Sequence, residues 1–241
     1  MKLSRVIILV VAGLFIAIGL LLVLGQNQKE TYISITFDDG YSSQYDAAKT
    51  LENYGWQGTF YIPTDFVGKT YENISVMDLQ QIKDLQLRGH EIGGHGASHV
   101  NASNVSAEAY ESDILESKNF FEENNLSVRN FAFPYGDDSK KDIALKYFDT
   151  ARSTKPCINN ISDRELCGLT LVHQNEEYKS LTTYVNELRG GWLVIAIHSI
   201  SSNPRSDVDI TPEELDWILE QINQTNAKVM TIAQVRELNK A

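Results

Sequence analysis

Strand-like and helix-like segments alternate along the chain after residue 31, and this alternation limits the fold more than any other feature. Tyr32–Phe37 and Trp192–Ile197 are rich in the β-branched and aromatic residues that are typical of buried strands. Thr211-Pro212-Glu213-Glu214 is typical of a helix start, and Ser75-Val-Met-Asp predicts the start of another helix that ends near Arg88. Strands that alternate with helices pair in parallel with both faces covered, so the sequence predicts an α/β fold. About seven βα units favour an irregular (β/α) barrel over an open sheet.

The N-terminal segment differs from the rest of the chain. Val6–Leu24 is a run of 19 residues without a charged or strongly polar side chain, and a helix of that length spans the hydrocarbon core of a bilayer. Lys2 and Arg5 precede the run, which favours export of the remainder of the chain. We therefore predict a transmembrane signal-anchor helix over residues 1–25, a linker over 26–31 and one globular domain over 32–241. The expected location is the cell membrane, single-pass, with the domain outside the cytoplasm; a cleaved signal peptide and a secreted protein are the alternative.

Charge and cysteine content limit the partners. The chain carries 21 basic and 32 acidic residues, a net charge of −11, which argues against nucleic acid as a partner because phosphates repel an acidic surface. Membrane contact is expected through the N-terminal helix only. The two cysteines, Cys157 and Cys167, predict a disulfide that closes a local loop in an oxidising compartment.

Polar residues stand directly after several of the predicted strands. Asp38 and Asp39 close the first strand, His95 and His99 follow a later one, and His198 follows Trp192–Ile197. Because the carboxyl ends of the strands of an α/β barrel meet on one face, we expect these side chains to converge. Taken alone, Asp-Asp-Gly is also a common turn, and the histidine pair also suits a capping or core role.

His95-Gly-Ala-Ser-His99 places two imidazoles four residues apart, a spacing at which both can reach one ion. The glycines around it favour a loop over a regular helix. Asp38 and Asp39 can serve the same ion only if the backbone turns after them, and Gly40 permits such a turn. Imidazole and carboxylate ligands suit Zn²⁺, and by geometry also Co²⁺ or Ni²⁺.

Four motifs together resemble a known family. They are Thr36-Phe-Asp-Asp-Gly40, Gly94-His-Gly-Ala-Ser-His99, Phe131-Ala-Phe-Pro-Tyr-Gly136 and Leu193-Val-Ile-Ala-Ile-His198. Their order and spacing are similar to those of the polysaccharide deacetylase family, also called carbohydrate esterase family 4 or the NodB-homology domain. The resemblance covers about Thr31 to Leu238, and it implies an irregular (β/α) barrel, in agreement with the strand and helix pattern.

The resemblance also implies roles for individual residues. Asp39, His95 and His99 correspond to the ligands of a divalent metal. Asp38 corresponds to the general base and His198 to the general acid that protonates the departing amine.

Three further residues belong to the substrate side of the implied site. The backbone N–H of Tyr135 corresponds to the donor that stabilises the oxyanion, and Pro134 fixes the turn that directs it. Tyr41, beside the two aspartates, is our candidate for contact with the sugar.

Two departures from the family pattern stand out. The residue after His95 is Gly96, where the family has Ser or Thr, and the third motif has Ala132 or Phe133 where many members have an Arg that orients the base. We hypothesise that Arg152 supplies this guanidinium from another strand; an ordinary surface Arg is the alternative. The family's acidic partner for His198 has no match.

The function implied is metal-dependent removal of N-acetyl groups from an N-acetylhexosamine polysaccharide outside the cytoplasm, with an N-acetylated glycan as the partner. One alternative is a related metal amidohydrolase that acts on small amides. The other is a glycan-binding relative without catalysis. The presence of Asp38, Asp39, His95, His99 and His198 together argues for an enzyme, because a binder needs neither acid nor base.

Overall fold

The fold is built on a nine-stranded parallel sheet flanked by helices. It comes from a computed structural model, which describes residues 30–172, 181–185, 188 and 190–240. The strands are β1 (Thr31–Phe37), β2 (Thr59–Ile62), β3 (Thr70–Tyr71), β4 (Ile74–Ser75), β5 (Glu91–Gly94), β6 (Val128–Ala132), β7 (Thr150–Arg152), β8 (Glu165–Leu166), β9 (Leu169–Thr170), β10 (Gly191–Ile197) and β11 (Lys228–Val229). The helices are α1 (Ser43–Asn53), α2 (Leu79–Leu87), α3 (Ala107–Glu123), α4 (Lys141–Tyr147), α5 (Pro212–Asn223) and α6 (Ile232–Leu238).

The strand order of the sheet is β8-β7-β6-β5-β2-β1-β10-β9, with β11 also beside β1. Residues 167–168 alone join β8 to β9, although these strands lie at opposite ends of that order. Three Cα–Cα steps reach at most about 11 Å, so the two edges of the sheet must lie close together. The sheet is therefore strongly curled, as in a (β/α) barrel.

The two faces of the central strands pack against different apolar clusters. Ile33, Ile35 and Phe37 of β1 join the largest cluster, which includes residues of α1, α2 and α5. Tyr32 belongs to another cluster with Trp192 of β10 and residues of α6. Burial of both faces explains why β10 is apolar throughout. In β1 the buried hydroxyls of Ser34 and Thr36 donate to the Met230 and Ile195 carbonyls.

Helix starts follow the capping chemistry of the sequence. Thr211 caps α5 in a capping box with Glu214, and a proline occupies the first turn. Asp78 caps α2 in a capping box with Gln81. The predicted start at Ser75 is therefore wrong by one turn, because Ser75 pairs within the separate β3–β4 hairpin.

The predicted fold class and location need one correction. Both included a membrane-spanning helix over residues 1–25, a segment that lies outside the described residues. Within the part of the chain that the structure describes, no helix is long and apolar enough to cross a bilayer; helix α3, Ala107–Glu123, has 17 residues and many charges, whereas a span needs about 20 apolar residues. We therefore restate the fold as a curled parallel half-barrel with helices, and we withdraw the transmembrane helix and the single-pass location.

Candidate active site

The polar residues at the strand ends face one cavity of about 600 Å³. Its walls include Asp38, Asp39, His95, His99 and His198. These residues follow β1, β5 and β10. In the curled sheet β10 lies next to β1, and β2 alone separates β1 from β5. The fold therefore brings these side chains to one cavity, as expected for residues at the strand ends of an α/β barrel.

Asp39, His95 and His99 form a compact triangle of donor atoms. Asp39 Oδ1 lies 3.4 Å from His95 Nε2 and 3.1 Å from His99 Nε2, and the two Nε2 atoms are 3.2 Å apart. In a tetrahedral zinc site with bonds of about 2.0–2.1 Å, the donor atoms lie roughly 3.3 Å from one another. Asp39 Oδ1 is buried and has no well-aligned hydrogen-bond donor among the described residues. These residues therefore fit a divalent cation.

The second nitrogen of each imidazole has its own partner. His95 Nδ1 lies 2.8 Å from the Ala132 carbonyl oxygen. Because a carbonyl oxygen only accepts hydrogen bonds, Nδ1 carries the proton and donates the hydrogen bond. His99 Nδ1 lies 2.8 Å from the Tyr71 hydroxyl oxygen. Such partners fix the ring orientation and leave Nε2 for a metal. Burial would raise the pKa of Asp39, but the neighbouring His95 and His99 hold it well below its usual value, so the ligand carboxylate is ionised.

Two local backbone conformations bring the ligands together. Asp39 and Gly40 have φ of 70° and 66°, so the chain turns directly after β1 and both aspartates face the cavity. In the His95–His99 loop, Gly96 and His99 have φ of 74° and 56°, which excludes a helix. The two histidines therefore meet through a tight turn.

Asp113 of α3 fixes the His95–His99 turn by hydrogen bonds. Its carboxylate accepts hydrogen bonds from Ala97 N–H at 3.0 Å and from Ser98 N–H and Oγ–H at 2.8 and 2.6 Å. A Cβ on Gly96 would lie 2.4 Å from Asp113 Oδ2. Gly96 also has a φ of 74°, which residues with a Cβ rarely adopt, so its backbone conformation and Asp113 together favour glycine over the family's Ser or Thr.

Arg152 is fully buried at the end of β7 and is paired with Asp38. Its Nη2 donates to both carboxylate oxygens of Asp38, with a distance of 2.5 Å to Oδ2. Burial alone would raise the pKa of Asp38, but the Arg152 guanidinium, with smaller contributions from His198 and His95, leaves it below its ordinary value. Asp38 is therefore an ionised carboxylate that is held in place beside the Asp39 triangle.

His198 lies beside Asp38, directly after β10. Its Nε2 is 3.8 Å from Asp38 Oδ2, and its Nδ1 is buried without a hydrogen-bond partner among the described residues. The backbone carbonyl of His198 accepts a hydrogen bond from Gln44 Nε2 at 3.2 Å. The strand end is thus fixed through its backbone, and no described carboxylate pairs with His198 Nδ1.

The substrate-side residues lie around the same cavity. Tyr135 has φ of 58°, and 62% of its surface is exposed; its ring centroid lies 4.7 Å from that of His99. Pro134 is buried at the start of this turn. Tyr41 lines the cavity but is only 3% exposed, and burial, assisted by Asp39, raises its pKa. The arrangement leaves the ring of Tyr135 more accessible to a sugar than that of Tyr41.

Two residues near the site were missed by the sequence analysis. Tyr71 contacts His99 from the β3–β4 hairpin, whose two-residue strands give no periodic signal. Asp113 looks like any acidic residue on an amphipathic helix. The one usable sequence signal was Gly96, since a glycine between two ligands indicates a backbone that approaches another group closely.

Cys157 and Cys167 are joined in a disulfide, with Cα atoms 5.5 Å apart. It lies outside the cavity, next to the junction between the two edges of the sheet. Gly168 follows it directly, and a Cβ there would lie 2.9 Å from Arg152 Cδ. The residue that follows the bridged loop therefore packs directly against Arg152, which holds Asp38.

Three solved structures with similar folds are distant from this chain in sequence. An acetyl xylan esterase of family 4 from Clostridium thermocellum, in complex with a cobalt ion, has a TM-score of 0.58 and 18% identity, covering 87% of this chain and 92% of that one. Peptidoglycan deacetylase PdaC from Bacillus subtilis has a TM-score of 0.53 and 18% identity, covering 89% and 94%. A restored-activity mutant of a CE4 family pseudoenzyme has a TM-score of 0.56 and 18% identity, covering 87% and 69%. At these identities the likeness shows the fold.

Sequence comparison assigns the family. No curated protein matches the chain significantly. The model of the family described as polysaccharide deacetylase matches residues 25–149, which is just over half of the 241 residues. This chain therefore belongs to the polysaccharide deacetylase family.

Proposed function

We propose that the chain is a metal-dependent hydrolase that removes N-acetyl groups from a polysaccharide containing N-acetylhexosamine. The observation that carries the proposal is the division of labour between two adjacent carboxylates. Asp39 faces the two Nε2 atoms of His95 and His99, whereas Asp38 is paired with Arg152. A site that only bound a glycan would need neither arrangement.

Asp38 is the proposed general base. Arg152 occupies both of its carboxylate oxygens and keeps it ionised, so that it is oriented to accept a proton from the water that attacks the acetyl carbonyl carbon. Arg152 is a positioning residue in this scheme, and it takes the place of the arginine that the third motif lacks.

His198 is the proposed general acid. When the tetrahedral intermediate collapses, the C–N bond breaks and the sugar nitrogen takes a proton from His198, so acetate and a free amine are released. Without that proton the nitrogen would have to leave as an amine anion, which is a very poor leaving group, so the acid is needed. The Tyr135 backbone N–H is proposed to donate to the oxygen that gains negative charge.

The metal site would be formed by Asp39, His95 and His99. A divalent cation bound there supplies Lewis-acid polarisation of the acetyl carbonyl and lowers the pKa of water. The ligand set suits Zn²⁺ best, and Co²⁺ or Ni²⁺ also fit it. The exposed ring of Tyr135 at the cavity mouth supports a polymeric glycan over a small amide, because an extended chain can pack on it outside the cavity.

Acetate release tests this proposal. Wild type with Zn²⁺ should release acetate from N-acetylglucosamine oligomers, and Asp38→Asn should lower kcat by roughly 10²- to 10⁴-fold while retaining its metal. Asp84→Asn, on α2 and outside the cavity lining, is the matched control and should retain activity. No acetate from the metal-loaded wild type would favour the small-amide or the non-catalytic alternative.

A second substrate isolates the role of His198. Phenyl esters with a good leaving group need no acid, so His198→Ala should lose far more activity on the amide oligomer than on p-nitrophenyl acetate. Equal losses on both substrates would reject His198 as the acid.

A further inference from the structure

The β3–β4 hairpin lies outside the parallel sheet, beside the cavity. Its strands pair Thr70 with Ser75 and Tyr71 with Ile74. Glu72 and Asn73 form the turn, with φ of 50° and 61°, the left-handed pair that a tight hairpin turn requires. The proposed catalytic roles make no use of this hairpin.

The base of the hairpin is bonded to the turn that carries Asp39. Met77 N–H donates to the Gly40 carbonyl at 2.9 Å, and Ser42 N–H donates to the Ser75 carbonyl at 2.8 Å. Gly40 follows Asp39 directly. The position of the hairpin base and the position of this first metal ligand are therefore fixed together.

The side chain of Tyr71 contacts another ligand. Its hydroxyl lies 2.8 Å from His99 Nδ1 and 3.3 Å from the Tyr135 hydroxyl. Its ring packs on Phe66, with centroids 4.5 Å apart. Since His99 has its Nε2 directed at Asp39, the Tyr71 hydroxyl is the group that fixes the rotation of this imidazole.

The tip of the hairpin reaches a loop on another side of the cavity. Arg205 Nη1 donates to the Asn73 carbonyl at 3.4 Å, and Arg205 also lines the cavity. The hairpin thus contacts the Asp39 segment through its base, His99 through Tyr71 and the cavity rim through its tip.

We infer that the β3–β4 hairpin couples metal binding to the shape of the cavity, with Tyr71 as the positioning residue for His99. A cation that fixes Asp39 and His99 also fixes the two segments to which the hairpin is bonded, so it orders the hairpin; by reciprocity, a hairpin held by Tyr71 increases the affinity for the cation. This inference rests on the metal site of the proposed function, and it adds that the hairpin, which forms part of the cavity wall, is held more firmly when that site is filled.

Tyr71→Phe tests the coupling, because it removes one hydroxyl and keeps the ring packed on Phe66. Calorimetric titration of the metal-free protein with Zn²⁺ should give a Kd roughly 10- to 100-fold higher than that of wild type. Tyr45→Phe is the matched control: it removes a phenol hydroxyl bonded to Asp84, and neither residue lines the cavity, so its Kd should not change. The thermal midpoint of metal-free Tyr71→Phe should lie within a few degrees of that of wild type, since one hydrogen bond is lost, and this excludes a folding defect.

Amide hydrogen exchange gives the second readout. Zn²⁺ should slow exchange over residues 69–77 in wild type, and much less in Tyr71→Phe. An unchanged Kd in Tyr71→Phe, or exchange in wild type that is independent of Zn²⁺, overturns the coupling. Failure of wild type to bind Zn²⁺ overturns both this inference and the proposed site. Binding that depends on Tyr71 without any acetate release would refute the proposed function alone.

Discussion

Arg152 Nη2 donates to both carboxylate oxygens of Asp38, although their strands are four positions apart in the sheet order. In a flat sheet that separation would be roughly 19 Å, at about 4.8 Å per strand. The contact exists because the sheet curls, so that the end of β7 faces the end of β1. A buried pair of this kind carries a large penalty if one partner is removed.

Replacement of Arg152 should therefore alter the base rather than the metal site. In Arg152→Ala the pKa of Asp38 rises, since burial then acts without the guanidinium that opposes it. A base works only when it is deprotonated, so the acidic limb of kcat/KM should move to higher pH. We expect kcat to fall by about 10²-fold or more at neutral pH.

The pH profile with saturating Zn²⁺ checks this prediction. Arg152→Lys keeps a charge but lacks the planar guanidinium, whose Nη1 also donates to the Ser153 carbonyl, so it should recover part of the acidic limb and little of the orientation of Asp38. Zinc content is the control and should be unchanged. An acidic limb at the same pH in wild type and Arg152→Ala would contradict the assigned role.

The sequence predicted much of the fold because its strong signals are local. β1 and β10 are long, buried and rich in β-branched and aromatic residues, and α5 carries its complete capping box. The hairpin over residues 70–75 gives no strand pattern because its strands have two residues each, and Ser75 stands where the sequence predicts a helix cap. Short segments of this kind are stabilised by tertiary contacts, which no local pattern encodes.

For the site, the sequence placed Asp38, His95 and His198 at strand ends, and the curled sheet brings them to one cavity. Arg152 could be put forward only as one of two alternatives, because its contact with Asp38 depends on the curvature of the sheet. Tyr71 and Asp113 act through side chains that reach the ligand segments from outside the sheet. Their roles come from three-dimensional packing alone.

Asp113 and Gly96 should behave as a coupled pair. Asp113→Ala removes three hydrogen bonds from the His95–His99 turn, and Gly96→Ser brings a Cβ to 2.4 Å from the Asp113 carboxylate. Each change should weaken Zn²⁺ binding by roughly 10-fold or more. Because the added Cβ no longer meets a carboxylate in the double variant, its loss should be smaller than the product of the two single losses. Independent, multiplicative losses in zinc titrations would refute the pairing.

His90 should make stability depend on pH without a role in chemistry. Gly58 N–H donates to its Nδ1 at 3.0 Å, so the proton of the neutral ring is on Nε2, which lies 2.9 Å from Glu52 Oε1. Burial, only partly offset by Glu52, lowers the pKa of His90 below 6.5. As pH falls below about 6.5, His90 becomes protonated in the unfolded chain but stays neutral in the folded chain. The free energy of unfolding therefore decreases until the pH reaches the folded pKa of His90.

Metal-free His90→Asn should show a weaker decrease over that range, by up to about 1.4 kcal/mol per pH unit. The amide oxygen of Asn can still accept from Gly58, which makes this variant a mild one. Urea unfolding at several pH values measures the difference. Parallel curves for the two proteins would show that His90 contributes no pH dependence.

The disulfide should stabilise the junction of the sheet edges. A loop of about ten residues closed by a disulfide contributes roughly 2–3 kcal/mol, and Asn159 within it donates to the Cys167 and Trp192 carbonyls at 3.2 Å each. Cys157→Ser/Cys167→Ser should lose this amount in urea unfolding. Wild type treated with a reductant should match the double variant, and the double variant should not respond to the reductant. A reductant-insensitive wild type would contradict this prediction.

The central claim is that one cation is bound by Asp39, His95 and His99 and by no other described carboxylate of the cavity. Calorimetric titration of the chelator-treated protein with Zn²⁺ tests it most directly. We predict one tight site in wild type and in Asp38→Asn, and loss of that site in Asp39→Ala and His99→Ala. Equal binding by all four proteins, or no binding by wild type, would contradict the account.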